Sequence, residues 1–162
     1  MSHSQQLNFF EDNQTRHHHD FKRNDIRIGE AGEDLAASKL KMWNYTVHRS
    51  SGGGPSDLLV EAGGGLLRVQ IKTTTKVSNS MTFSYSRGFH GSKDGVFRYA
   101  SNDFDIAGCV NLNDGKVLFS AGVPEKAITW PRHIFMHEGA EHLSWINAVN
   151  EIKKQKAEGG LV

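Results

Sequence analysis

The stretch GGGPSDLLVEAGGGLLRVQIKTTTK, residues 52–76, decides the fold. From Asp57 the polarity alternates, with Leu58, Val60 and Ala62 on one face of an extended chain and Asp57, Leu59 and Glu61 on the other. After Gly63, Gly64 and Gly65 the pattern resumes, with Leu67, Val69 and Ile71 facing one way and Arg68, Gln70 and Lys72 the other. Two such runs joined by glycine predict a β-hairpin. A loop of two or four residues pairs positions whose numbers sum to an odd value, which can set Asp57 across from Gln70 or Lys72; a three-residue loop opposes it to Ile71. The first register gathers Asp57, Gln70 and Lys72 on one face.

Upstream, IRIGEAGEDLAASKLKMW reads as a helix on which Ile28, Ala31, Leu35 and Met42 share a stripe. Glu33 lies nearly opposite, but in the company of Ala36, Ala37 and Leu40, so it too is expected to face protein. Glu30 is expected to be the more exposed acid. NYTVHRS follows as a short strand ending in the glycine-rich turn. Downstream, MTFSYSR and FDIAGCVNL read as strands, NDGKVLFSA as a turn and return strand, and EHLSWINAVNEIKKQ as a helix carrying Leu143, Ile146, Val149 and Ile152. Helix, strands and helix in that order predict one α/β (α+β) domain over residues 25–162, with a mixed sheet flanked by helices. Residues 1–24 are polar and are expected to form a loose arm, the HHH at 17–19 being part of that tract rather than a metal or phosphate site.

Composition narrows the function. A chain of 162 residues, 37% hydrophobic and 23% charged, suits one soluble globular domain. It has no apolar run long enough for a bilayer and no basic-then-apolar start, so a cytoplasmic protein without membrane attachment is expected. The single cysteine, Cys109, excludes an internal disulfide framework and a cysteine zinc cage; its setting in FDIAGCVNL is that of a small buried hydrophobe. The net charge is only +1, yet between residues 68 and 98 the six bases Arg68, Lys72, Lys76, Arg87, Lys93 and Arg98 face Asp94 alone, a local +5. A basic middle on a near-neutral chain suits a surface that tracks phosphates.

Phosphodiester hydrolysis calls for a divalent ion to offset phosphate charge and acidify an attacking water. Hard oxygen ligands suit that ion. Asp57 offers a carboxylate, Gln70 an amide oxygen and Ile71 its backbone carbonyl, and Glu33 can complete the set from the helix. Lys72, on the face of Gln70, is placed to orient water or stabilise developing negative charge. His133 and His137 in HIFMHE are four apart but lack the His-Glu-x-x-His order of a zinc helix. Asp103 and Asp105 read as a strand-start turn, and Trp43, Trp130 and Trp145 as packing residues.

These residues resemble the PD-(D/E)xK nuclease superfamily. The proline-aspartate is PSD, with a serine before Asp57; the (D/E)-x-K is QIK, with Gln70 in the acidic slot; and GEAGEDLAASKL is similar to the first helix, whose glutamate maps to Glu33. VHRSSGGGPSDLLV resembles the turn before the aspartate in archaeal-type Holliday-junction resolvases. FRYASNDFDIAGCVNLNDGKVLF is similar to the later strand pair of the group I intron homing endonucleases of this fold, a branch in which glutamine takes that slot. The resemblance spans residues 26–121. It implies a restriction-endonuclease-like core and a Mg²⁺-dependent DNA endonuclease, Mn²⁺ being the alternative ion, with Glu33, Asp57, Gln70 and Lys72 catalytic and Glu33, Asp57, Gln70 and Ile71 holding the metal. Arg49, Ser51, Lys76, Arg87, Lys93 and Arg98 are the expected DNA contacts. The expected substrate is branched DNA, as for a junction resolvase acting in recombination, with duplex cleavage of homing or restriction kind as one alternative and an inactive DNA-binding module as another. Cutting two strands implies a homodimer or higher oligomer.

Overall fold

The computed structural model describes residues 21–52, 54–87 and 95–159. Helix α1 (Phe21–Met42) leads into β1 (Thr46–Arg49), β2 (Leu58–Ala62) and β3 (Gly65–Thr74). Strand β4 (Ser80–Ser84), the short β5 (Ser86–Arg87) and β6 (Phe97–Arg98), β7 (Ile106–Asn111), β8 (Lys116–Ala121) and β9 (Ala127–Pro131) follow, then α2 (Arg132–Met136) and α3 (Ala140–Gly159). The HHH tract lies outside the described residues. Helix α1 already begins at Phe21, upstream of the expected start.

The main sheet has five strands in the order β1-β2-β3-β7-β8 and is mixed: β3 and β7 run parallel, and the other neighbours antiparallel. One face carries α1 and α3 over a core that includes Leu58, Val60, Val69, Ile106, Val117 and Trp145. The opposite face is covered at β7 and β8 by the β4–β9 ribbon and α2, where Met81, Phe83 and Phe135 meet Cys109 and Leu118. Burial pushes the Cys109 thiol up to about 11, as befits a packing residue. The strands β6 and β9 were not expected from sequence, and the single strand expected over MTFSYSR is divided at Tyr85 into β4, which pairs with β9, and β5, which pairs with β6.

Both long helices exist as expected, but each buries a different face. On α1, Met42 is 74% exposed, and the buried residues include Gly32, Ala36, Ala37 and Leu40. Small residues let the helix backbone approach the sheet: a Cβ on Gly32 would stand 1.9 Å from Thr73 Oγ1. The helix ends in a Schellman turn, with Asn44 at φ 66°, Tyr45 N–H donating to the Leu40 carbonyl at 3.1 Å and Asn44 N–H to that of Lys41 at 3.0 Å. On α3, Val149 and Ile152 are buried as expected, but Leu143 is 58% exposed and Trp145 is fully buried. The core-facing row is Glu141, Trp145, Ala148, Val149 and Ile152. Glu141 joins three elements, its carboxylate accepting from Lys39 at 3.2 Å, Lys116 at 3.2 Å and the Val117 N–H at 2.9 Å.

The two faces of α3 give a direct test. Trp145→Ala is expected to cost about 3–5 kcal/mol, whereas Leu143→Ala stays within about 0.5 kcal/mol. Denaturant midpoints of the two variants decide it; a larger loss at Leu143 would reverse the assigned face.

Candidate active site

The site begins with a turn. Gly63 and Gly64 sit at φ +66° and +82° and close the hairpin as a two-residue type I′ loop, so Ala62 pairs with Gly65 and Leu58 with Val69. The ladder ends at Leu58 and Val69, and Asp57, one residue further, turns its N–H to the same Val69 carbonyl, so it lies beside Gln70 at the end of the ladder rather than paired with it. Asp57 is pinned from both sides: its N–H donates to the Val69 carbonyl at 2.9 Å, and its own carbonyl accepts from Ser50 N–H at 2.9 Å. Gln70 and Lys72 alternate with the core residues Val69 and Ile71, and together with Asp57 they meet the N-terminal half of α1 in one cleft at the end of the hairpin.

Asp57 Oδ2 accepts from Gln70 Nε2 at 2.6 Å and from the Ile71 N–H at 2.7 Å. Gln70 Nε2 also donates to the Ile71 carbonyl at 3.2 Å. This network fixes the amide orientation, because the reverse would press Oε1 against two other oxygens. The positive end of the amide thus lies between a carboxylate and a carbonyl oxygen. Lys72 Nζ donates to the Ser86 carbonyl at 3.4 Å and lies 5.6 Å from the centre of the Tyr99 ring, which stacks edge-on with the buried Phe104. Ser86 and Tyr99 had no signal in the sequence. They follow from the β5–β6 pairing, which brings the chain back beside β3.

Glu33 reaches the site from α1, held close by the Gly32 contact. Its Oε2 accepts from Arg49 Nη1 at 3.0 Å, and Arg49 Nη2 pairs with Asp34. Burial pushes the Glu33 carboxyl up, and the Asp57 charge adds to this against Arg49. Burial likewise raises Asp57, opposed by the Ile71 N–H, Lys72 and Arg49. It lowers Lys72, which Asp57 partly restores. Three charged groups are therefore held partly dehydrated within one open cleft of about 380 Å³, lined by Asp25, Ile28, Gly29, Glu33, Asp57, Gln70, Ile71, Lys72 and Thr73.

The cleft brings together Glu33, Asp57, Gln70, Ile71 and Lys72; Glu30 is exposed and does not line it. Arg49 stands against Glu33, and Ser51, Lys76 and Arg98 are exposed. Lys93 and the Arg87 side chain lie outside the described residues. His133 is in α2, but His137 caps its end in extended conformation, so the two do not share a helix face. Asp105 accepts from the Arg68 backbone and guanidinium at 2.8 and 3.2 Å, and Asp103 accepts from Ala100 N–H at 2.9 Å, which makes both structural. Among the described residues no group of three or more His, Cys, Asp or Glu side chains is placed to hold a metal. The available donors are the carboxylates of Glu33 and Asp57, with Asp25 as a third at the cleft wall, an amide oxygen reached by rotating Gln70, and the Ile71 carbonyl. That all-oxygen set fits a hard divalent cation, and the amide NH₂ already occupies a point between two of its members.

No family model matches the chain, and no curated protein matches it. Among solved structures, it is similar to a bacterial homing endonuclease, I-Ssp6803I, with a TM-score of 0.62 over 81% of this chain and 97% of that one, at 16% identity. This likeness is one of fold: a mixed sheet flanked by helices.

Asp57 is costly to the fold. A carboxyl raised on folding contributes stability below its unfolded pKa and loses it as pH climbs through the folded value. Asparagine keeps an oxygen for both donors, so Asp57→Asn is expected to be the more stable protein at neutral pH, by about 1 kcal/mol. The gap should close on acidification through the carboxylate range. Urea melts at both pH values check this, and equal stability at neutral pH would contradict it.

Proposed function

We propose that the protein is a divalent-metal-dependent DNA endonuclease of the PD-(D/E)xK kind that hydrolyses a phosphodiester. The observation that carries this reading is the convergence of Glu33, Asp57, Gln70, the Ile71 carbonyl and Lys72 on one cleft of a fold similar to a homing endonuclease. Glu33, Asp57, Gln70 and the Ile71 carbonyl would hold Mg²⁺ or Mn²⁺, which when bound supplies neutralisation of phosphate charge and a more acidic water.

The chain's own groups do the rest. Asp57, fixed by two N–H donors and by backbone bonds on either side, holds its carboxylate in one place and so would define where the cation is held. Lys72 projects from the same face, its ammonium positioned by the Ser86 carbonyl and the Tyr99 ring. In a dehydrated cleft that charge stabilises negative charge on the phosphoryl oxygens more strongly than it would in water. Water oxygen bonds to phosphorus, one P–O ester bond breaks, and the departing oxygen is protonated.

Duplex DNA is favoured over branched DNA, because the similar fold belongs to a homing endonuclease and no observation singles out a junction. Two strands would be cut by two copies of the chain, in the cytoplasm. The exposed Lys76 and Arg98, with Ser51, are proposed phosphate contacts.

The test is cleavage of a randomised duplex pool, a four-way junction and single-stranded DNA, with Mg²⁺ or EDTA. Metal-dependent cuts in duplex are expected, with Asp57→Ala and Lys72→Ala each slower by at least about 100-fold and Gln70→Glu binding metal equally or more tightly. Undiminished cutting by either alanine variant would remove the assignment. Binding without any product would instead identify an inactive DNA-binding module, and cuts in the junction alone a resolvase.

A further inference from the structure

The cleft's carboxylates are already engaged by donors of the chain itself. Gln70 and the Ile71 N–H serve Asp57, and Arg49 serves Glu33. Arg49 is the last residue of β1, paired with Leu58 immediately beside Asp57, and its guanidinium meets Glu33 at the margin of the cleft, on the side of α1 that carries Asp34, Lys41 and Met42. It forms a fork between two acids of α1, Glu33 and Asp34, whose side chains are 25% and 71% exposed. Its own side chain is 50% exposed and has open solvent to move into. A cation on Glu33 Oε2 would compete with Arg49 for that oxygen, since the two positive charges would stand side by side at one carboxylate edge.

We infer that Arg49 is a placeholder for the metal: it occupies Glu33 in the free protein, yields that carboxylate when the ion binds, and then turns to a backbone phosphate of the bound DNA. The inference rests on the metal-dependent reading of the same cleft and adds a linkage to it. Whatever displaces Arg49 from Glu33 frees the site for the other ligand, so metal and DNA tighten each other's binding by one common factor. DNA recruits Arg49 by offering phosphate oxygens, for which its planar fork is suited. Metal recruits Glu33. Asp34, the more exposed acid, keeps a partner for Arg49 during the exchange without occupying the cleft.

The effect of removing Arg49 therefore has opposite signs for the two ligands. Mn²⁺ binding to the free protein is followed by calorimetry for wild type, Arg49→Gln, Arg49→Lys and Asp57→Ala. Arg49→Gln is expected to bind Mn²⁺ at least about fivefold more tightly than wild type, Arg49→Lys to fall between them, and Asp57→Ala to lose binding. In a Lys72→Ala background, which slows cutting and leaves every oxygen ligand in place, Mn²⁺ is expected to tighten duplex binding at least about fivefold, and Arg49→Gln to reduce that tightening to the part supplied by the ion's own contact with phosphate. Circular dichroism confirms that each variant is folded. Equal or weaker Mn²⁺ binding by folded Arg49→Gln would overturn the placeholder role and make Arg49 a support for Glu33. Mn²⁺ binding that survives Asp57→Ala would overturn it too, by placing the ion elsewhere. Failure of every variant to bind duplex, with or without metal, sinks the nuclease reading instead, and is distinguished from loss of the placeholder by the calorimetry of the free protein.

Discussion

The site depends on the parity of one hairpin. In a β-ribbon a single-residue slip moves every side chain to the other face, and here the two faces have incompatible tasks. Leu58, Val60, Val69 and Ile71 belong in the core under α1 and α3, while Asp57, Gln70 and Lys72 must line a polar cleft. The turn that holds the register is Gly63-Gly64, both in the left-handed conformation. Side chains with a Cβ resist that geometry whatever space surrounds them, and Gly63 also lies against Val149 and the flexible end of Lys153 on α3. Hydrophobic burial on one face and a conformational demand at the turn enforce the same register. The polar cluster in the cleft follows from both.

The second dependence is on how closely α1 lies against β3. Glu33 joins Asp57 because Gly32, next to it, has no side chain, and the helix rests on Thr73 through its backbone. A larger residue would lift the helix and carry Glu33 away with it. The same contact leaves Thr73 Oγ1 buried without a hydrogen-bond partner, an unfavourable arrangement accepted where the helix must come close. Arg49 then closes the arrangement from β1, so that the cleft is bounded by a helix, the end of a strand and a hairpin whose positions are each fixed by packing elsewhere.

These dependences explain what was legible in the sequence. The hairpin was readable because alternation and glycine coincide, and Asp57 with Gln70 and Lys72 followed on one face; only the choice of loop length stayed open. The helices were readable as helices, yet the faces of α1 and α3 were misjudged, for one reason. Counting large apolar residues gives weight to Met42 and Leu143, whereas the packed faces are chosen by fit: Gly32, Ala36 and Ala37 allow close approach, and Trp145 fills the deepest space. Glu33 was placed facing protein from its Ala36, Ala37 and Leu40 neighbours, which is the side the packing uses. Ser86 and Tyr99 were invisible, since strands of two residues leave no periodic signal and their approach to Lys72 arises from tertiary pairing.

The electrostatics of the cleft also separate stability from function. Burial disfavours the charged forms of Glu33, Asp57 and Lys72, so the fold retains an arrangement that solvent-exposed or apolar side chains would relieve. Internal donors moderate that cost. The Gln70 amide is a neutral group whose positive end faces Asp57 and whose oxygen becomes available by one rotation; a glutamate at the same position would put a second negative charge beside Asp57 in the absence of metal. Glutamine therefore suits a site that must stay folded while empty and still present oxygen to a cation. Arg49 gives Glu33 the same protection with a full charge, and its freedom to leave sets it apart from Lys72, which is held by the Ser86 carbonyl and the Tyr99 ring. Lys72 is held from two sides while the Arg49 side chain stands half in solvent, a difference that follows from their surroundings rather than from their charge.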